Sequence, residues 1–147
     1  MSLSRSSKRH LPLHAFSAAI LTGAIGFAAP AYAQLPAVQT QNDVNYVVGG
    51  IGSDESEAIK AAMKDYSLAL IFARPQEGGA AYLSDVQVVI EDEAGKPILN
   101  VKPDGPYLLA KVPPGRYKVT ANAGGNVQTK TLSVQAGQTT QQRFDWK

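Results

Sequence analysis

The chain holds two histidines, His10 and His14, and no cysteine. Both histidines lie within the first 33 residues, which have the pattern of a removable export signal. Arg5, Lys8, Arg9 and His10 form a charged start. An apolar stretch runs through residues 15–29 and Pro30 breaks it. Ala31-Tyr32-Ala33 then supplies the small-x-small pattern that a signal peptidase reads. Cleavage before Gln34 leaves 114 of the 147 residues and removes both imidazoles. Ser-His-Asp and Cys-His nucleophilic sites then have no base or no thiol. Zinc, copper and haem lose their usual nitrogen and sulfur ligands. The chemistry left to the chain is that of carboxylates, glycine loops, basic patches and aromatics.

Each of these has a candidate. Glu91-Asp92-Glu93 is the densest acidic cluster and would suit a hard cation such as Ca²⁺, which takes several oxygens. Consecutive strand residues point to opposite faces, however, so a solvated hairpin turn is the simpler reading. Asp54, Glu55 and Glu57 could pair as general acid and base, but their place at a helix start has a simpler explanation in capping. Gly49-Gly50-Ile51-Gly52-Ser53 could cradle an anion on free N–H groups. No Gly-Lys-Ser/Thr follows it, so it is not a nucleotide loop. Arg116, Lys118 and Lys130 are assigned to one outer sheet face, a docking patch for an acidic partner or simply a wet face that resists aggregation. Trp146 with Tyr107 and Tyr117 could stack on a sugar, but their alternation points them inward.

Composition narrows the classes further. The formal charge of +2 loses Arg5, Lys8 and Arg9 with the signal, leaving 11 basic residues against 12 acidic ones. No basic footprint for nucleic acid or anionic lipid remains. The apolar stretch before Pro30 is diluted by Ser17, Thr22, Gly23 and Gly26, and a span needs about 20 strongly apolar residues. No membrane span is expected once the signal is removed. A chain of 114 residues suffices for one domain with a real core.

Residues 34–48 read as a flexible leader, polar at first and ending in a short strand at 44–48. Residues 53–64 read as the one helix. Asp54 and Glu57 have capping-box spacing, and Ala58, Ile59, Ala62 and Met63 form a narrow apolar stripe. From Tyr66 the period changes to two. Leu68, Leu70 and Phe72 alternate with Ala69 and Ile71 in a strand apolar on both faces, and residues 74–80 read as a loop. Val86, Val88 and Ile90 begin a hairpin that turns at Gly95. Tyr117, Val119 and Ala121 alternate with Arg116, Lys118 and Thr120, and Phe144 and Trp146 alternate with Arg143 and Asp145. The expected fold is mainly β: an antiparallel β-sandwich of about seven strands with one short N-terminal helix, spanning residues 49–147.

Residues 85–146 resemble the carboxypeptidase regulatory-like module, a β-sandwich related to transthyretin. The resemblance rests on Val86-Gln-Val-Val-Ile90, Asp92-Glu-Ala-Gly-Lys-Pro97, Val112-Pro-Pro-Gly-Arg-Tyr-Lys-Val119, Gly125 and Val134-Gln-Ala-Gly137. It implies a fold and carries no catalytic residues. Enzymes on related sandwiches use histidines, alone or with tyrosine around iron, and the mature chain has none. At Gly105-Pro106-Tyr107 the usual pattern has an aromatic directly after the glycine. The strand there should start late or lie on an edge, because Pro106 cannot donate a ladder bond.

The expected protein is therefore periplasmic or secreted, non-enzymatic and free of cofactors and metals. Its partner would be an envelope protein or a polysaccharide, with no role for nucleic acid. A carbohydrate-binding module and a carboxylate-only hydrolase are the alternatives; the latter needs two carboxyls about 5–9.5 Å apart across one cleft.

Overall fold

The structure, a computed structural model, describes Gly26 and residues 34–147. The expected signal segment lies outside the described residues, Gly26 excepted. Among the described residues ten strands form: β1 Gln39–Gln41, β2 Val44–Gly49, β3 Leu68–Gln76, β4 Gly79–Tyr82, β5 Gln87–Glu91, β6 Pro97–Val101, β7 Tyr107–Lys111, β8 Gly115–Ala123, β9 Asn126–Val134 and β10 Thr140–Asp145. The one helix among the described residues, α1 Ser53–Ala62, runs into a 3₁₀ turn at Met63–Asp65. The first sheet is ordered β1-β2-β7-β3-β10, with β4 also paired to β3, and the second β6-β5-β8-β9. The fold is a mainly β sandwich with one short helix.

The two faces of the first sheet explain the doubly apolar β3. Leu68, Leu70 and Phe72 join Val88, Ile90, Leu99, Val119, Phe144 and others in the core between the sheets. Phe72, Phe144 and Trp146 cluster there, with ring centroids 5.9–6.3 Å apart. Ala69 and Ile71 face the other way and pack with Val47, Tyr66, Tyr107 and Leu109 against Ile59 of α1. The helix therefore covers a sheet face, and residues 34–147 form three layers. Burying a large aliphatic side chain such as Ile59 contributes about 1.5–3 kcal/mol.

Three sequence expectations change. Within the leader, the strand expected at 44–48 is β2, and β1 pairs antiparallel with it to make a hairpin through Gln39↔Tyr46 and Gln41↔Val44. Asn42 and Asp43 both take positive φ, 49° and 63°, the requirement of a tight hairpin turn. The expected loop at 74–80 is also a hairpin, with β3 continuing through Pro75 to pair with β4. These two short hairpins raise the strand count above seven. Finally, Pro106 does not mark an edge. β7 begins one residue later and lies between β2 and β3, while the Pro106 carbonyl accepts a hydrogen bond from the Phe72 N–H at 2.9 Å.

Pairing is antiparallel except for β10, which runs parallel to β3 from Thr140↔Leu68 to Asp145↔Ala73. The open sides of the sandwich are stitched by side chains. The Gln41 amide mimics a strand: its Nε2 donates to the Asn100 carbonyl at 3.2 Å and its Oε1 accepts the Asn100 N–H at 2.5 Å. On the opposite side Gln128 Nε2 donates to the Asp145 carbonyl at 2.6 Å and Lys130 Nζ to the Arg143 carbonyl at 3.2 Å. Such contacts occupy backbone groups that would otherwise template another chain.

Candidate functional site

A surface feature that brings several of the candidate residues together lies at one end of the second sheet. The β5–β6 turn approaches the start of β8, and two shallow depressions form between them. One is about 390 Å³ and is bordered by Glu91, Glu93, Arg116, Lys118 and Thr131. The other is about 310 Å³ and extends past Ala94, Pro114 and Gly115. Both share Asp92, Glu93, Arg116 and Tyr117. The acidic cluster and part of the basic patch, read separately from sequence, are thus one place.

The turn holds itself rigid. Asp92 Oδ1 accepts the Ala94 N–H at 3.0 Å and the Lys96 N–H at 2.9 Å. Gly95, at φ 75°, donates its N–H to the Asp92 carbonyl at 3.0 Å. On the sheet, Glu91 stands opposite Lys118, and their charged groups meet at 3.0 Å. The carboxylates of Glu91 and Asp92 are therefore directed to different partners. Among the described residues no group of three His, Cys, Asp or Glu side chains is placed to hold a metal ion.

Arg116 and Glu93 remain exposed on facing rims, and Arg116 makes no ion pair among the described residues. Tyr117 forms the floor. It is buried and its hydroxyl donates to the Pro113 carbonyl, which ties the ring to the Pro-Pro-Gly turn. Burial pushes its hydroxyl pKa above the ordinary 10, helped by the negative charges of Asp92 and Glu93.

The basic patch divides. Arg116 and Lys118 point outward, opposite Ser133 and Thr131 of β9. Lys130 stands opposite Val119, an inward residue, and so belongs to the other face. Its aliphatic stem runs along the sandwich side and its ammonium lies 5.2 Å from the Phe144 ring centroid. The three residues do not form one site.

The remaining candidates turn inward or are already occupied. Trp146, Tyr107 and Tyr117 are all buried, and Trp146 Nε1 donates to the Asn126 carbonyl at 2.9 Å. The glycine loop before α1 does bind an anion, but it is the chain's own. Glu55 Oε1 accepts the Gly50 N–H at 2.7 Å and the Ile51 N–H at 3.4 Å. Gly50 sits at φ 101° under the Tyr107 ring, where a Cβ would collide. The Asp54–Glu57 capping box does not form: α1 has no side-chain cap, and Glu57 pairs with Lys60 at 3.2 Å. Sequence reading names Glu55 but not its partners, the Gly50 and Ile51 N–H groups, because that pairing depends on a backbone bend that no spacing rule encodes.

The chain matches no protein-family model and has no significant match among curated proteins. Among the described residues no helix is long and apolar enough to cross a membrane.

Proposed function

We propose that the protein is an exported accessory module that works by surface binding without catalysis, engaging an envelope protein or surface polymer through the Arg116 depression. The partner presents an acidic group to Arg116, whose planar guanidinium can take a carboxylate through two parallel hydrogen bonds. The observation that carries this reading is the exposed Arg116, which makes no ion pair among the described residues, on a paired strand beside a turn that holds its own shape. Loops and strand ends fixed on a rigid scaffold are common binding elements. Export to the periplasm or the medium rests on the tripartite pattern of residues 1–33. The kinship with carboxypeptidase regulatory-like modules rests on the motifs within residues 85–146.

Burial of Trp146, Tyr107 and Tyr117 leaves a sugar-stacking platform without its aromatics. A carboxylate pair for hydrolysis is not favoured where Glu91 and Asp92 are already bonded to other groups. The test is capture from the producing cell's envelope fraction by wild-type protein and by Arg116→Glu. We expect a captured partner with wild type and at least a tenfold loss with the variant, at unchanged thermal stability. Equal capture by both would refute the site. Turnover of a substrate abolished by a single Asp or Glu substitution would refute the non-enzymatic reading.

A further inference from the structure

We propose that the exported chain begins with pyroglutamate formed from Gln34. The inference rests on the export reading with cleavage after Ala33. Cleavage there frees the α-amino group of Gln34. Its nitrogen attacks the side-chain amide carbon, a five-membered lactam closes, and the side-chain nitrogen leaves as ammonia with the proton released by the amine. One C–N bond forms and one breaks, and no oxidant, reductant or cofactor is needed.

The folded domain leaves this residue free to react. Gln34 is exposed, while Leu35 and Pro36 are half-buried. Leu35 packs against the apolar layer under α1, and Pro36 lies close over Gly49. The fold thus grips the chain from residue 35 onward and leaves one residue outside. Ring closure has no packing to break and needs only Gln34's own side-chain torsions. An α-amino group ordinarily titrates near 7.7–8.0, so roughly a tenth is the free nucleophile at neutral pH. Intramolecular placement of amine and amide supplies the proximity advantage that a bimolecular aminolysis lacks.

The local electrostatics favour the cyclised end. Gln34 borders a shallow depression of about 420 Å³ with Ile51, Gly52, Ser53, Asp54 and Glu55, at the start of α1. The start of a helix carries partial positive charge and disfavours a neighbouring cation. Of the two carboxylates that border it, Glu55 is already held by the Gly50 and Ile51 N–H groups, and Asp54 is exposed, where solvent and salt screen its charge. The lactam is neutral and compact and sits beside the exposed Ile51 side chain. It also removes the free amine that an aminopeptidase requires.

Mass spectrometry of the exported protein, acid-quenched at harvest, is the test. We expect the mass of residues 34–147 less one ammonia, and an N-terminus blocked to stepwise sequencing. Pyroglutamyl aminopeptidase should unblock it to give Leu35. Gln34→Ala should show the full mass of its chain and an open N-terminus. A free Gln34 amine would overturn the pyroglutamate while leaving the export reading intact. A chain that retains residues 1–33, or begins elsewhere, would overturn both.

Discussion

Glu55→Ala should destabilise the protein by about 2 kcal/mol, far more than Asp54→Ala or Glu57→Ala. The Glu55 carboxylate is the acceptor for the Gly50 N–H at 2.7 Å and a weaker one for the Ile51 N–H at 3.4 Å. Hydrogen bonds to a charged group contribute about 1.5–3 kcal/mol each when well formed, so the short bond accounts for most of the loss. Gly50 lies under Tyr107, where water has limited access to replace the acceptor. Glu55→Gln keeps an acceptor oxygen and loses the charge, and should cost about half as much. Asp54 is exposed and caps nothing, so its truncation should stay within about 0.5 kcal/mol. Urea denaturation of the three variants reads these differences directly. At this chain length thermal midpoints should follow at roughly 4 °C per kcal/mol. Hydrogen exchange adds a local readout: the Gly50 amide should lose protection in Glu55→Ala. Equal losses for Asp54→Ala and Glu55→Ala, with Gly50 still protected, would refute the role assigned to Glu55 as acceptor for the glycine loop.

Tyr117→Ala should cost about 3–5 kcal/mol in urea denaturation, while Arg116→Ala stays within about 0.5 kcal/mol, because only Tyr117 is buried. Gln41→Ala removes both side-chain bonds to Asn100 and should cost about 1–2 kcal/mol. The freed β6 edge should also speed aggregation, measurable by light scattering. Stability should fall as pH rises from about 10 to 12. Burial first, then hydrogen bonding and charge from Tyr82, push the Tyr107 hydroxyl up to about 12 from its ordinary 10. The unfolded chain therefore loses that proton first. The stabilisation is full below pH 10 and declines as pH rises through the folded value. Denaturation midpoints across this range should fall less steeply in Tyr107→Phe, whereas Tyr66 and Tyr117, shifted the same way, keep part of the slope.

The parts of the fold legible in sequence were those with strict alternation. Tyr117, Val119 and Ala121 do face inward, as do Phe144 and Trp146, because one wet face and one core face leave a period-two imprint. The Leu68–Phe72 stretch, apolar on both faces, is indeed buried on both, and the apolar stripe of Ala58, Ile59, Ala62 and Met63 does lie against a sheet through Ile59. Partner choice was not legible. Alternation says which face a residue takes and nothing about which strand lies beside it, so the parallel β3–β10 pair and the central place of β7 went unread. Lys130 was misplaced although a signal existed. It stands two residues before Leu132 and four before Val134, both buried, and so shares their face. The β1–β2 and β3–β4 hairpins were hidden by polar or proline-containing strands, whose pairing depends on backbone bonds more than on apolar pattern. In the candidate site each cluster was legible alone. Their meeting was not, since the β5–β8 register that sets Glu91 against Lys118 is a tertiary fact.

The parallel pairing of β10 with β3 also sets a timetable. Thr140 must find Leu68, and Phe144 must find Phe72, across the whole length of the intervening domain. Phe144 and Trp146 contribute two of the three clustered aromatic rings of the inner core. A chain emerging from its N-terminus can form the β1–β2 and β5–β6 hairpins early, but those hairpins have no finished core to close on. Loop-closure entropy is spent before such distant contacts return anything, which makes this topology slow to commit. Strand β10 and Trp146 thus act as a latch. Until they are released the polypeptide stays open and threadable, and a nascent chain stalled short of Phe144 remains a substrate for chaperones and proteases.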